Sequence, residues 1–106
     1  MTKQEDEKRL AYLKGIVARL PEKPGSYQYY DETGTIIYVG KAKNLKSRVS
    51  SYFHAEVDRF KTKVLVSKIH DISYTVVNTE EDALLLENEL IKKYNPRYNV
   101  LLKDGK

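Results

Sequence analysis

The stretch from residue 24 to residue 41 constrains the fold of this chain more than any other, because it has the composition of a complete β-hairpin. Residues 26–30 and 35–39 together are rich in tyrosine, isoleucine, threonine and valine, which favour strands. Residues 31–34, Asp-Glu-Thr-Gly, are typical of a turn, since Gly34 can adopt a positive φ. We therefore predict two antiparallel strands joined by this turn, after which Gly40 and Lys41 leave the sheet.

Two tyrosines of this hairpin are expected to lie together. If the four turn residues form the whole loop, Tyr27 lies directly opposite Tyr38. Both phenols then share one face of the sheet, beside Gly40 and Lys41. A single bulge would shift that pairing.

Composition limits the class of protein. A chain of 106 residues fits a single domain spanning 1–106. It contains no cysteine, which excludes disulfides and thiolate metal sites and is compatible with the reducing cytoplasm, where we expect this protein. No apolar run approaches the roughly 20 residues of a membrane-spanning helix, and no signal peptide is recognisable, so we predict no membrane association.

Positive charge is concentrated in one region. The whole chain has a formal net charge of +4, but residues 41–68 alone hold eight basic and two acidic residues, a local net charge of +6. Such a region suits a polyanion such as DNA better than a membrane, because no strongly amphipathic segment accompanies it. A solvated surface without a partner would have the same composition, so both interpretations stay open. The candidate DNA-binding residues are Lys43, Lys46, Lys61 and Lys63.

The rest of the chain alternates between helical and extended patterns. Helices are predicted over about 6–20, 44–53, 57–69 and 79–94, and a third strand over 71–78. Asn44 and Thr79 are the predicted N-caps, and Phe60 is predicted to face inward. Residues 1–9 are expected to fray, and residues 97–102 to be a short extended segment. The predicted fold class is α+β, a small three-stranded antiparallel sheet flanked by helices.

The helix predicted over 79–94 contains a glutamate in an unexpected position. At 100° per residue, six apolar residues form one arc, and Glu87 falls near its middle. They are Ala83, Leu84, Leu86, Leu90, Ile91 and Tyr94. A carboxylate buried without a partner is very costly, so Glu87 requires a cation, a metal ion or a proton. A buried ion pair with Arg48 or Lys41 and a metal or active site are both consistent with this pattern.

If Glu87 binds a metal ion, one carboxylate favours Mg²⁺ or Mn²⁺. Zinc prefers several nitrogen or sulfur ligands, whereas Mg²⁺ keeps most of its waters and needs one or two protein oxygens plus a phosphate. His54 and His70 are too isolated in the sequence to indicate a transition-metal site, and we interpret them as surface histidines.

Several motifs resemble the GIY-YIG nuclease family. Residues 25–27, Gly-Ser-Tyr, and 38–40, Tyr-Val-Gly, resemble the two halves of its defining motif, with departures at Ser26 and Val39. Ser26 indicates a position that is not deeply buried. Residues 37–45, 50–53, 83–87 and 96–100 resemble more particularly the N-terminal nuclease domain of the UvrC family of bacterial nucleotide excision repair, and the resemblance runs from about residue 20 to residue 104.

The resemblance implies a set of roles. Glu87 matches the family's sole protein ligand of a divalent metal, and Tyr38 matches its general base. Tyr27 matches a tyrosine that supports the attacking water, Lys41 lies close to the base, and Arg48 matches an arginine that faces the scissile phosphate. Further matching positions are Gly40, which belongs to the motif itself, Tyr52 and Asn99.

The resemblance implies a Mg²⁺- or Mn²⁺-dependent DNA endonuclease with the GIY-YIG fold that cuts damaged double-stranded DNA on the 3′ side of a lesion. We expect a monomeric domain, an N-terminal fragment of a longer chain, and contact with the helicase UvrB through a segment outside it. Two alternatives stay open. One is another GIY-YIG nuclease, against which the residues after Gly40 argue, and the other is a nucleic-acid-binding domain that performs no chemistry.

Overall fold

The computed structural model describes residues 2–54 and 59–102 of the chain. Its elements in chain order are α1 (Lys3–Ala18), β1 (Gly25–Tyr30), β2 (Ile36–Ala42), α2 (Leu45–Tyr52), α3 (Phe60–Lys68), β3 (Asp71–Val76), α4 (Glu80–Tyr94) and α5 (Arg97–Leu101). The strands form one antiparallel sheet in the order β2-β1-β3. The predicted α+β class is therefore confirmed. Within the described ranges, no helix combines the length and apolar character needed to cross a bilayer.

β1 and β2 form the predicted hairpin in a different register. Tyr30 pairs with Ile36, so the loop has five residues instead of four, and the register shifts by one more residue between Tyr29 and Tyr30. As a result, Tyr29 pairs with Tyr38 and Tyr27 pairs with Gly40. The prediction that Tyr27 lies directly opposite Tyr38 is therefore wrong. Both tyrosines still lie on one face, since strand residues two apart point the same way. β2 also continues through Gly40 to Ala42, so the prediction that Gly40 and Lys41 leave the sheet is wrong too.

The hairpin turn is held by one carboxylate. Asp31 Oδ1 accepts hydrogen bonds from the backbone N–H of Thr33 at 2.9 Å and of Thr35 at 3.0 Å. Gly34 has a φ of 85°, a conformation that glycine adopts without steric cost. The predicted turn chemistry is confirmed.

The predicted N-caps are confirmed for two helices. Asn44 Oδ1 accepts from Ser47 N at 3.0 Å, and Thr79 Oγ1 accepts from Asp82 N at 3.0 Å. The predicted frayed start is wrong, because α1 already begins at Lys3. Thr2 and Glu5 form a capping box there. Farther along α1, the Arg9 guanidinium donates to two backbone carbonyls at the end of α3, those of Val66 and Ile69.

Two further expectations fail. Phe60 is 77% exposed rather than inward, because Leu65 is the fully buried residue of α3 and a position five residues away lies about 140° around a helix. Residues 57 and 58, the predicted start of that helix, lie outside the described ranges. Residues 97–101 form the short helix α5 instead of an extended segment, and Tyr98 is buried there.

The main core lies between one face of the sheet and the helices α1, α2 and α3. Its buried residues include Leu13, Val17, Leu20, Tyr27, Tyr29, Leu45, Val49, Leu65 and Ile69. Ser26 and Gln28, which alternate with these tyrosines along β1, are also buried. The expectation that Ser26 is not deeply buried is wrong, because its hydroxyl donates to the Gly40 carbonyl at 2.8 Å and is thereby satisfied.

Candidate active site

Four tyrosines form one aromatic cluster. The alternation of β1 and its pairing with β2 bring Tyr27, Tyr29 and Tyr38 to one face of the sheet, and α2 adds Tyr52. The Tyr27 ring centroid lies 5.3 Å from that of Tyr29, 6.3 Å from that of Tyr38 and 5.9 Å from that of Tyr52. The Tyr27 and Tyr52 hydroxyls share a hydrogen bond of 2.8 Å, so these two predicted site residues hold each other in place.

Gly40 leaves space for one of these rings. A Cβ atom at this position would overlap Cζ and the hydroxyl oxygen of Tyr27, which is 1% exposed. Only glycine therefore lets the Tyr27 ring lie directly across β2. Gly40, which was predicted to be a site residue, thus acts by leaving space for the Tyr27 ring. It contributes no chemical group to the site.

A cleft of about 500 Å³ opens beside this cluster. It brings together six of the residues predicted to act in catalysis or metal binding, from the four elements β1, β2, α2 and α4. They are Tyr27, Tyr38, Gly40, Lys41, Arg48 and Glu87. Because these side chains come from distant parts of the sequence, their convergence is a property of the fold alone.

Glu87 lies at the edge of this cleft and is half-buried rather than enclosed in a core. Burial raises the pKa of its carboxyl group, and the positive charges of Lys41 and Arg48 oppose that shift. The predicted alternative, an ion pair with Arg48 or Lys41, is not seen: Glu87 makes no salt bridge with any residue in the described ranges. The carboxylate is therefore available to a ligand in the cleft.

The phenols of the cluster are neutral at pH 7. Burial is the main cause of a raised pKa for Tyr27, Tyr38 and Tyr52, and it takes the pKa of Tyr27 to about 12. Arg48 opposes the shift in all three cases, and its guanidinium lies 5.4 Å from the centroid of the Tyr52 ring. For Tyr38 as well, burial outweighs the opposing charge of Arg48 in the chain by itself, so its pKa is raised.

Asn99 does not line the cleft. Its side chain is hydrogen-bonded to the backbone of β2. Its Oδ1 accepts from Val39 N at 2.8 Å, and its Nδ2 donates to Val39 O at 2.9 Å. Since β2 is an edge strand, Asn99 pairs with a backbone that would otherwise be open to solvent. Val39 lies between Tyr38 and Gly40, so Asn99 positions the strand that carries them.

The candidate DNA-binding lysines are distributed unevenly around the site. Lys43 lines the cleft and makes a 3.5 Å surface ion pair with Glu80, which contributes little because both side chains are exposed. Lys46 belongs to α2 and is partly buried, whereas Lys61 and Lys63 project from α3 into solvent.

Two residues near the site were not predicted. Tyr29 completes the cluster, and its hydroxyl is buried without a hydrogen-bond partner among the described residues. The spacing of two residues from Tyr27 was the available signal, since it places both rings on one face. Ser47 lines the cleft one turn into α2, and nothing in its sequence context distinguishes it.

The donor set of the cleft fits a hard divalent cation. In the described ranges, no three histidine, aspartate or glutamate side chains lie close enough to hold a metal ion between them. Among the described residues that line the cleft, Glu87 is the one that carries a carboxylate, and the cleft volume of about 500 Å³ leaves room for water and a phosphate. Mg²⁺ and Mn²⁺ accept such a site because they retain most of their waters, whereas zinc does not.

Comparison with known proteins agrees with this geometry. The model of the UvrC-like GIY-YIG domain matches residues 23–100. UvrABC system protein C of Bacteroides thetaiotaomicron is 71% identical over 106 residues, which are 100% of this chain and 17% of that protein. The same protein of Porphyromonas gingivalis W83 is 67% identical over 91 residues, which are 86% of this chain and 15% of the relative. The chain thus spans less than a fifth of these curated relatives.

Solved structures show the same similarity. The GIY-YIG N-terminal endonuclease domain of UvrC from Thermotoga maritima, bound to its catalytic divalent cation, magnesium, matches with a TM-score of 0.73 and 32% identity. The match covers 92% of this chain and 98% of that one. A point mutant of the same domain, also bound to its catalytic divalent cation, matches with a TM-score of 0.74 and 31% identity, covering 92% and 97% of the two chains.

Proposed function

Because the chain belongs to the UvrC-like GIY-YIG domain family, we propose that it is a metal-dependent DNA endonuclease domain. The observation that carries this proposal is the convergence of Glu87, Tyr38 and Arg48, from three different elements, on one cleft. Similarity to UvrABC system protein C supports a role in the 3′ incision of nucleotide excision repair, with damaged double-stranded DNA as the substrate. UvrB is then the proposed partner of the whole protein.

Glu87 is the residue that would hold Mg²⁺ or Mn²⁺. Its carboxylate is half-buried, lines the cleft and has no competing salt bridge among the described residues. When bound, the ion supplies positive charge that polarises a phosphate and lowers the pKa of neighbouring hydroxyl groups. The magnesium bound to the Thermotoga maritima domain supports this assignment.

Tyr38 is the residue that would take the proton of the attacking water. Burial holds it as a neutral phenol, so it accepts a proton only when positive charge beside it favours the phenolate. Arg48 contributes part of that charge, since it lowers the pKa of Tyr38, and Lys41 lines the same cleft. Tyr27 also lines the cleft, and its hydroxyl, held by Tyr52, can support the water from the side of β1.

Arg48 is the residue that would bind the phosphate. Its guanidinium is always protonated and offers several donors in a fork that matches phosphate oxygens. Such donors stabilise the negative charge that grows on the phosphoryl oxygens as the bond breaks. Tyr52 fixes the guanidinium by stacking, and Asn99 fixes β2, so both act as positioning residues.

Glu87→Gln tests the assignment because it keeps the size of the side chain and removes its charge. We expect Mn²⁺ binding, measured by electron paramagnetic resonance, to be lost, and nicking of supercoiled plasmid to fall by at least about a hundredfold. Glu89→Gln is the matched control, since Glu89 is exposed on the same helix and does not line the cleft. Unchanged Mn²⁺ binding by the Glu87→Gln protein would refute the role of Glu87.

The same experiment separates the alternative of a domain that binds DNA without chemistry. A pure binding domain has no nicking activity in any form and retains its DNA affinity in Glu87→Gln. A nuclease loses nicking in that variant while its affinity changes little, because Arg48 and the surface lysines remain.

A further inference from the structure

A chain of side-chain hydrogen bonds crosses all three strands of the sheet and ends at Gly40. It begins on β1, where the Tyr30 hydroxyl lies 2.8 Å from Ser73 Oγ of β3. The Ser73 hydroxyl donates to Gln28 Oε1 at 2.9 Å, and Gln28 Nε2 donates to Ser26 Oγ at 3.2 Å. The Ser26 hydroxyl then donates to the Gly40 carbonyl of β2 at 2.8 Å. This polar chain thus joins β3 to a residue of the candidate active site.

The direction of the polar chain is fixed by the protons that each group carries. The Ser26 hydroxyl has one proton and gives it to a carbonyl, so it can only accept from Gln28. The amide oxygen of Gln28 therefore faces Ser73 and accepts the proton of that hydroxyl. Ser73 in turn accepts from Tyr30. Each donor thus points along the chain toward Gly40, and hydrogen bonds aligned in this way strengthen one another.

The part of the polar chain next to Gly40 is closed to solvent. Ser26 is fully buried, and Gln28 is 7% exposed. Bulk water therefore cannot replace either side chain as the partner of the other. A buried polar group that loses its hydrogen bond costs more free energy than the bond itself contributes, so these groups stay paired. The bond from Ser26 to the Gly40 carbonyl is consequently a firm restraint on β2.

Gly40 is a position that needs such a restraint. Its missing Cβ makes room for the Tyr27 ring, but glycine has more backbone freedom than any other residue. The Ser26 hydroxyl limits that freedom, because it fixes the carbonyl of the peptide that joins Gly40 to Lys41. Lys41 lines the cleft, and Tyr27 pairs with Gly40 across the hairpin. The polar chain therefore holds β2 at the point where both side chains reach the site.

We propose that Ser26 and Gln28 are positioning residues of the candidate active site. By holding the Gly40 backbone they keep Tyr27 and Lys41 in place along the cleft, which neither of them lines. This inference rests on the proposed function, which makes the cleft a catalytic site. Ser26 is also a position at which the sequence departs from the GIY-YIG motif, so the motif does not account for its hydroxyl.

Two variants separate positioning from simple stabilisation. Ser26→Ala breaks the polar chain and leaves a buried amide group of Gln28 without its acceptor, so the urea midpoint of unfolding should fall. The double variant Ser26→Ala/Gln28→Met replaces both partners by apolar groups, which costs little, so it should regain most of the lost midpoint. Single-turnover nicking of supercoiled plasmid in saturating Mn²⁺, measured on folded protein, should be roughly tenfold slower in both variants, as one lost hydrogen bond slows a reaction. A role in stability alone would restore the rate together with the midpoint.

Nuclear magnetic resonance supplies a readout that needs no activity. In both variants the ¹³C signal of the Gly40 carbonyl should move upfield, because the carbonyl loses a donor, and the buried Tyr27 ring should flip faster, because its packing loosens. Ser67→Ala is the matched control, since it removes a hydroxyl that donates to a backbone carbonyl, that of Val64 at 2.6 Å, away from the cleft. It should leave the nicking rate, the Gly40 signal and the Tyr27 flip rate unchanged.

The inference is overturned if the double variant nicks at the wild-type rate, or if its Gly40 signal and Tyr27 flip rate equal those of the wild type. The double variant decides the matter if Ser26→Ala does not fold. If the wild type itself does not nick plasmid, the proposed function fails, and the Gly40 and Tyr27 signals alone test the polar chain. If the wild type nicks and the double variant nicks equally fast, only the positioning role is refuted.

Discussion

Replacing Gly40 with alanine should displace Tyr27 and destabilise the domain. The added Cβ would overlap the Tyr27 ring at Cζ and at the hydroxyl oxygen. Tyr27 cannot move away freely, because it is 1% exposed and its hydroxyl is bonded to that of Tyr52 at 2.8 Å. The steric conflict must therefore be relieved by moving the ring or the strand.

The magnitude follows from these two contacts. Overpacking a buried site typically costs about 1–3 kcal/mol, and loss of the tyrosine hydrogen bond adds about 1 kcal/mol. We expect the free energy of unfolding to fall by about 2–4 kcal/mol. A domain of this size has a free energy of unfolding of roughly 5–15 kcal/mol, so the Gly40→Ala variant should stay folded. Its Tm should be lower than that of the wild type by on the order of 10–20 °C.

Urea denaturation followed by circular dichroism measures this change. Gly15→Ala is the control, because a Cβ there meets only the Arg19 side chain, at the ordinary distance of 3.7 Å. Alanine is favoured over glycine inside a helix, so Gly15→Ala should raise the free energy of unfolding by about 0.5–1 kcal/mol. Replacing glycine with alanine should therefore lower the free energy of unfolding at position 40 and raise it at position 15.

A double-mutant cycle with Tyr27→Leu can refute the reasoning. Leucine lacks the overlapping ring atoms, so Gly40→Ala should cost less than about 0.5 kcal/mol in that background, which corresponds to a coupling energy of about 2–4 kcal/mol. If Gly40→Ala costs the same in both backgrounds, the overlap with Tyr27 is not the cause. If it costs nothing in the wild type, the steric role of Gly40 is wrong.

Three further predictions concern neighbouring groups. Asn99→Ala removes both hydrogen bonds to Val39 and should lower the free energy of unfolding by about 1–3 kcal/mol. Amide hydrogen exchange at Val39 should become faster, and unchanged exchange would contradict the prediction. Tyr29→Phe should leave the free energy of unfolding in urea within about 0.5 kcal/mol of the wild type or raise it, because the deleted hydroxyl has no hydrogen-bond partner among the described residues. A loss above about 1 kcal/mol would contradict this, since it would mean that the hydroxyl has a partner. Since the pKa of Tyr27 rises from 10 to about 12 in the folded state, its contribution to stability should be complete below pH 10 and lost as pH rises toward 12. Ultraviolet titration of the phenolates checks this, and nine tyrosines that all ionise near pH 10 in the folded protein would be the contrary result.

The features that were predicted correctly depend on residues close together in the chain. Asn44 and Thr79 cap their helices by bonding to N–H groups three residues away, and Asp31 closes its turn within four. Such contacts form whatever the rest of the fold does, so the sequence predicts them directly. The apolar arc around Glu87, which was inferred from helical periodicity alone, is less buried than predicted, because Ala83 is the only buried residue of α4 and Leu84 and Tyr94 are exposed.

The errors have different causes. The bulge after Tyr29 lies within the hairpin, and Phe60 is exposed because the buried position of α3 is Leu65, whereas residues 97–101 form a helix that buries Tyr98 in the core. Asn99, for instance, reaches its backbone partner Val39 across 60 residues. Local propensity carries no information about such partners, and a one-residue shift in a strand is cheap for the backbone alone.

The sequence by itself determined the order of the elements from α1 to α4, the family motifs and the position of Glu87 within its helix, because each is a pattern of residue types along one segment. Only the tertiary structure decided that Glu87 is half-buried without a salt bridge among the described residues, and that it faces Tyr38 and Arg48 across a cleft. The physical reason is that burial and electrostatic shifts depend on which segments pack together. That packing is settled by the whole core and not by any one stretch of the chain.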